Sequence, residues 1–299
     1  MNEELLYFFY DLGQYLINGI TQGSIYALIA LGYTMVYGII KLINFAHGEF
    51  YMIGAFVGYY LVISGASLWI AFPAAMLGAG VVAVIIERLV YRPIRHAGRI
   101  AALISALGTS LFFQYLGQGT VGADPKTFPP VIEEISYEWG EMMISNIQII
   151  IIITTIVLML VLRWLVSSTR IGMAMRAVSF NHDAAELMGI DTNKIISFTF
   201  FVGAALAGAA GVLVGLYYNT IEPMMGLMPG LKAFVAAVLG GIGIIPGAAL
   251  GGLVLGIVEN LVTGFWASNY RDAIAFGILI IILLIKPTGL MGKNIREKV

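Results

Sequence analysis

The chain contains no cysteine among its 299 residues, only three histidines, and few charges, at 11% of the whole. The absence of thiols excludes disulfides and thiolate metal sites. His47, His96 and His182 lie far apart in sequence and no His-Glu-x-x-His run occurs, so the common zinc-hydrolase pattern is missing. No Gly-x4-Gly-Lys-Ser/Thr loop is present, so the chain does not bind ATP in the P-loop manner. Gly13, Gly19, Gly23 and the run Gly240-Gly241-Ile242-Gly243 sit in apolar surroundings and read as helix glycines rather than a dinucleotide fingerprint. A net charge of −1 offers no basic face to nucleic acid. Glu3, Glu4 and Asp11 stand where a cleaved signal peptide would carry basic residues, which argues that the first helix is retained. No catalytic group, metal or bound cofactor is expected.

What is present is apolar surface. Hydrophobic residues make up 60% of the chain and the mean hydropathy is +0.92, whereas soluble domains carry about 25% charged residues. A spanning helix needs about 20 apolar residues. Such runs recur at approximately 12–40, 43–64, 67–91, 100–118, 146–166, 195–218, 232–245, 247–266 and 272–286. The alternating ~10-residue pattern of a membrane β-barrel is missing. The expectation is an all-α polytopic membrane protein with eight to nine transmembrane helices.

Charge orients it. Arg88, Arg92, Arg95 and Arg99 share one loop. Arg163, Arg170, Arg176 and Lys194 surround the next on that side, and Lys286, Lys293, Arg296 and Lys298 lie at the C-terminus. Twelve of the sixteen basic residues therefore fall on one face if the segments alternate, and the positive-inside rule makes that face, with the C-terminus, cytoplasmic. The opposite loop, 119–145, holds Asp124, Glu133, Glu134, Glu138 and Glu141 against Lys126 alone.

The run 232–245 is too short to span, reaching ~21 Å at 1.5 Å per residue against ~30 Å of hydrocarbon. The first helix also ends in a polar break, Asn44 to Glu49. Non-helical backbone at depth is tolerated only where protein or a watery cavity satisfies it. The halves correspond in order, 12–118 with 195–290, joined by a linker helix at 146–166 and a cytoplasmic loop at 167–194. The first set starts outside and the second inside, so the expectation is two inverted repeats with broken helices within one permease-like domain, a transporter pattern. The break at Asn44–Glu49 then matches Asn219–Pro223. Gly203, Ala207, Gly211 and Gly215, and again Gly252 and Gly256, recur every four residues, which lets membrane helices approach closely.

Intramembrane ionisable groups are functional candidates. Asn44, His47 and Glu49 line a path or gate, or else mark a helix end at the cytoplasmic interface, where polar groups cost little. Glu222 flanks the second break. Glu259 lies inside an apolar helix, as a path residue or as an ion pair to a neighbouring helix. Lys232, opening its segment, reads as a snorkelling interfacial lysine. The loop 172–194 interrupts the apolar second half as a short amphipathic helix and a turn. It contains Asp183-Ala184-Ala185 with Gly189 four residues on, a small-residue helix ended by glycine that suits a partner's groove.

Asn18 to Gly38, then Ile43-Asn-Phe-Ala-His-Gly-Glu-Phe-Tyr-Met-Ile-Gly54, Glu87-Arg-Leu-Val-Tyr-Arg-Pro93, Lys232 to Gly243 with Ile245-Pro-Gly247, and Pro287-Thr-Gly289 together resemble the LivH-type permease subunits of branched-chain amino-acid ABC importers. The resemblance runs along essentially the whole chain. It implies a bacterial inner-membrane subunit that works with a second, usually different, permease subunit, two cytoplasmic ATPases carrying ATP and Mg, and a periplasmic amino-acid-binding protein. Asp183-Ala-Ala-Glu-Leu-Met-Gly189 resembles the family's Glu-Ala-Ala-x-x-x-Gly coupling motif, with Asp for Glu and without the later Leu-Pro. By that resemblance Asp183, Ala184, Ala185 and Gly189 couple the ATPases to the bundle. Two other functions compete: a stand-alone secondary transporter or channel, with Glu49, Glu222 and Glu259 as its ion-carrying groups, and an ABC permease for urea or amides, against which the short 119–145 loop weighs mildly.

Overall fold

In hydrocarbon every backbone polar group must be satisfied within its own segment, so the apolar runs become helices. A computed structural model describes residues 3–95 and 97–292, with side chains from Tyr7 onward except that of Arg99. His96, Lys293, Arg296 and Lys298, singled out above, lie outside the described residues.

Helix α1 (Glu3–Ile40) is followed by a non-helical stretch and α2 (His47–Ile63). α3 (Leu68–Ile86) runs on through a π-helical turn, Glu87–Tyr91, into the short α4 (Arg92–Ile94). After α5 (Arg99–Val121) the chain forms β1 (Lys126–Thr127) and a hairpin of β2 (Ser136–Trp139) and β3 (Met142–Ser145). Then come α6 (Asn146–Ser168), α7 (Arg170–Phe180), α8 (His182–Leu187) and α9 (Thr192–Tyr218). The chain closes with β4 (Thr220–Ile221), α10 (Leu227–Gly240), α11 (Ile245–Phe265) and α12 (Arg271–Ile285). The all-α character is complete in the membrane. The strands make two small ribbons outside it, β2 with β3 and β1 antiparallel to β4, which ties the 119–145 loop to the second break.

Seven of the described helices are long and apolar enough to cross a membrane. α2, at 17 residues, and α10, at 14, are shorter and largely buried, and the sequence-based figure of eight to nine turns on these two. α10 begins five residues before the expected 232 and ends at Gly240. Pro229 falls in its first turn, where a missing N–H costs nothing.

α1 and α9 are the most enclosed of the seven. Each packs chiefly on the third helix of the other half, α1 on α11 and α9 on α3. Small residues set these spacings. A Cβ built on Gly23 would stand 2.7 Å from Leu253 Cα, one on Gly252 2.6 Å from Ala27 Cα, and one on Gly32 2.6 Å from the Gly203 carbonyl oxygen. Within the Gly203–Gly215 row the members turn to different neighbours: Gly203 meets α1, Gly211 the α2 backbone at Tyr51, and Gly215 the Phe128 ring. Gly208, outside that row, meets α3 at Ala75 and Ala79. Lys41 and Asn219 are the non-glycine residues of the described chain with positive φ, at 55° and 53°, and each directly follows the first helix of its half. Both halves thus leave their long helix by the same left-handed turn.

Candidate functional site

Six short-range hydrogen bonds shape the 167–194 segment. Thr169 caps α7, its hydroxyl oxygen accepting the Gly172 N–H at 3.0 Å. Asn181 caps α8 by accepting the Ala184 N–H at 3.0 Å. α8 ends in a Schellman turn: the Gly189 N–H donates to the Glu186 carbonyl (2.9 Å) and the Ile190 N–H to the Ala185 carbonyl (3.0 Å), with Gly189 at φ +83°. Asp191 then starts α9 by accepting the Lys194 N–H at 3.1 Å, and the Thr192 hydroxyl donates to the Glu186 carboxylate.

Asp183, Ala184 and Gly189 are exposed, as a docking role requires. Ala185 is not: it is 4% exposed and packs beneath α8 against its own chain, because the cap turns the 185 face inward. The expectation that both alanines approach a partner's groove is corrected to Ala184 alone. The groups that project are Phe180, Leu187 and Met188, 92%, 88% and 82% exposed. Their signal was present in the sequence, as large apolar residues inside a polar loop.

The segment is tied to the bundle through the π-turn. Glu87, fully buried, accepts from Arg95 at 2.8 Å and from the Ser197 hydroxyl at 2.6 Å. Arg95 also donates to Asn193 Oδ1 at 3.1 Å, so the first turn of α9 is clamped to the end of α3. Burial lowers the Arg95 pKa, and the Glu87 charge opposes that shift. One turn on, the Tyr91 hydroxyl donates to Asn44 Oδ1 at 2.5 Å, and the same oxygen accepts the Ala46 N–H at 3.1 Å. The π-turn therefore joins the α8–α9 junction to the first break.

The two breaks meet. A Cβ on Gly230 would stand 2.9 Å from Gly48 Cα, and Gly226 and Gly48 face each other's carbonyl oxygens with no room for a side chain. The two short helices α2 and α10 thus start against one another. Asn44, His47 and Glu49 are 2%, 1% and 1% exposed, so the protein itself encloses the first break. The His47 and Tyr33 rings pack in a tilted contact, 4.6 Å between centroids. Glu49 Oε1 accepts from Ser110 and Gln114 of α5, each at 2.7 Å. Asn44 Nδ2 and Glu49 Oε2 have no partner among the described residues. Buried polar groups are as a rule hydrogen-bonded, so this break concentrates free hydrogen-bonding capacity.

Glu222 and Glu259 do not join this cluster. Glu222 is exposed. Glu259 is held between Lys232 (3.1 Å), Arg271 (2.7 Å) and the Tyr26 hydroxyl (2.9 Å). Lys232 is also 2.6 Å from Asp272 and only 5% exposed. It is therefore no snorkelling lysine: it lies a turn and a half inside α10 and faces α11 and α12. Tyr91, Ser110, Gln114 and Ser197 were not singled out from sequence, since a lone polar residue in an apolar helix gives no sign of its partner.

Residues 15–283 match the family described as branched-chain amino acid transport system / permease component. The permease protein LivH of the high-affinity branched-chain amino acid transport system of Salmonella typhimurium is 44% identical, with all of both chains covered. The corresponding permease protein BraD of Pseudomonas aeruginosa is 44% identical over 97% of this chain and 99% of its own. The solved structure of PsaBC from Streptococcus pneumoniae in complex with Fab covers 93% of this chain and 91% of its own, at 14% identity and a TM-score of 0.47.

Proposed function

The chain belongs to the branched-chain amino acid transport permease family, and on that premise we propose that it is an inner-membrane translocation subunit of an ATP-driven importer. Its cargo is a branched-chain or other hydrophobic amino acid delivered by a periplasmic binding protein. Two ABC ATPases and a second permease subunit, most simply a different chain, complete the complex. The ATP and Mg reside on the ATPases. The loop rich in Arg and Lys, the 167–194 segment and the C-terminus face the cytoplasm, and the 119–145 ribbons face the periplasm.

The observation that carries this reading is the continuous chain of contacts from α8 to the paired breaks. Asp183, Ala184 and Gly189 shape the docking helix, and Phe180, Leu187 and Met188 supply its apolar grip. Movement of α8 reaches α9 through Glu186 and Thr192. It reaches α3 through Asn193, Ser197, Arg95 and Glu87, and Asn44 through Tyr91. Asn44, His47 and Glu49 are the gate at which that motion ends. Repeat one, about 12–118, and repeat two, about 195–290, rock about the contact of Gly48 with Gly226 and Gly230. Of the three carboxylates a stand-alone ion-driven carrier would use, Glu259 already holds two cations and Glu222 is exposed rather than buried with Glu49.

Co-purification tests the reading. The chain, tagged and expressed with its operon neighbours, brings down a P-loop ATPase. The double variant Leu187→Glu, Met188→Glu inserts normally and loses that ATPase. Wild-type chain that never recovers an ATPase, yet takes up amino acid alone under an ion gradient, contradicts it.

A further inference from the structure

The 119–145 segment carries five exposed carboxylates, Asp124, Glu133, Glu134, Glu138 and Glu141, against one lysine, Lys126. None of the five makes an ion pair among the described residues. Exposed charge alone marks only a solvated loop. Here it surrounds two shaped apolar features.

The first is the tip of the β2–β3 hairpin. Tyr137 and Trp139 project from one face of β2 by strand alternation, and are 53% and 82% exposed. Helix α1 holds the hairpin upright. At its base, Gln148 in the first turn of α6 donates to Asn18 Oδ1 at 3.1 Å. Further along α1, Gln14 pairs with the Met143 backbone, donating to its carbonyl at 3.1 Å and accepting its N–H at 2.8 Å. At the tip, a Cβ on Gly140 would stand 2.7 Å from the Tyr10 ring. Asn18 to Tyr10 is ~12 Å along the helix axis at about 1.5 Å per residue. The headgroup layer adds only about 5–8 Å to each side of the hydrocarbon. With α6 entering the membrane from Asn146, the tip and Trp139 stand clear of the headgroups.

The second feature lies beside the hairpin base. The Phe128 N–H donates to the Asn219 carbonyl at 3.0 Å and the Asn146 N–H to the Ile135 carbonyl at 2.9 Å, so residues 129–134 arch from the end of α9 to the start of α6. Pro129 and Pro130 stiffen the arch. Beneath it is a cavity of about 390 Å³, with Ile147 and Leu216 as a buried apolar floor and Glu133 and Glu134 among its walls. An aliphatic stem ending in a cation, as on lysine or arginine, fits that combination.

Resting on the import function and orientation proposed above, we propose that this surface receives the periplasmic amino-acid-binding protein, which docks with a basic face: Trp139 and Tyr137 are the apolar anchors, and the cavity under 129–134 takes a lysine or arginine side chain of the incoming protein. Large aromatic residues carry much of the energy of protein interfaces, and complementary charge steers the encounter and selects the partner. An anionic lipid surface would instead repel the five carboxylates.

The test uses the complete importer, assembled from this chain and its operon neighbours, in lipid nanodiscs. The Kd for the loaded binding protein is measured, together with basal ATP hydrolysis in its absence. Trp139→Ala is expected to raise the Kd about tenfold, and the pair Glu133→Lys, Glu134→Lys to raise it about tenfold as well, with basal hydrolysis within twofold of wild type in both. The wild-type Kd is expected to rise as salt goes from about 50 to 200 mM, and the charge-reversed pair to lose that dependence. This chain has no cysteine, so in a complex otherwise free of cysteine Glu141→Cys places one polarity-sensitive fluorophore at the hairpin tip. Its emission is expected to shift when binding protein is added and to ignore nitroxide-labelled lipids. A Trp139→Ala Kd within twofold of wild type overturns the docking surface alone. So does a fluorophore quenched by the lipids and indifferent to the binding protein, which makes the hairpin a membrane anchor. A wild-type complex that binds no loaded binding protein overturns the import function and the docking surface with it.

Discussion

Gly189 shows how much one backbone angle decides. Its φ of +83° lets α8 close its last turn on Glu186 and Ala185 and release the chain toward Asp191. A Cβ built there meets nothing within 4 Å, so substitution costs conformation rather than space. For an L-residue the left-handed region costs roughly 1–2 kcal/mol, and a β-branched side chain is worse. Gly189→Val is therefore expected to insert and fold while uptake falls to background, because the exposed Leu187 and Met188 no longer present themselves together. Uptake at wild-type rate with normal membrane levels would remove the coupling role from this turn. The glycine was legible in sequence as the end of a short helix in a polar loop, and its coupling role only as what the resemblance to the Glu-Ala-Ala-x-x-x-Gly motif implies. Ala185 was misread for a related reason: a helix of six residues has no periodicity long enough to show which face is inward.

At the scale of elements, the α7–α8 segment packs against α9, and the charges around it bear on one titrating group. Burial pushes the His182 imidazole below its ordinary range. The Arg95 and Lys41 charges push in the same direction, and Asp183 and Glu186 oppose them. A base whose pKa falls on folding holds its proton more readily in the unfolded chain. Its contribution to stability is therefore complete above the ordinary value, ~6.5, and is lost as pH drops through and below it. The detergent-solubilised protein is expected to lose melting temperature between neutral pH and pH 5 more steeply than His182→Gln. Identical slopes would show that His182 senses none of these charges. The elements also mark the limits of reading by sequence. Length and hydropathy delimited most of the long helices to within a few residues, since bilayer thickness constrains them, but α1 begins at Glu3, nine residues before the expected start. α10 was placed too late because Gly226, Pro229 and Gly230 read as loop, and it is tertiary contact with Gly48 that makes them the start of a helix. Lys232 was misassigned in consequence, since its partners Glu259 and Asp272 lie on helices that no local pattern joins to α10.

At the scale of the whole molecule, the two halves embrace. α1 lies on α11, α9 lies on α3, and the two left-handed exits at Lys41 and Asn219 lead to short helices that begin in contact. The order of apolar runs gave the correspondence between halves, but the swapped pairing and the Gly48–Gly226 contact depend on surfaces that only the folded chain brings together. The proposed route from α8 to the break at Asn44–Glu49 passes through a handful of polar contacts in an otherwise apolar interior. π-turns within α-helices frequently mark functional positions, and this one carries Glu87 on one side and Tyr91 on the other. The most direct measurement is therefore the number of amino acids imported per ATP hydrolysed by the reconstituted importer carrying Tyr91→Phe, which removes only the hydroxyl that reaches Asn44. The expected result is a several-fold fall in that ratio, with stimulated ATP hydrolysis near wild type. An unchanged ratio at unchanged rates would mean that the 167–194 segment drives the gate by some other route.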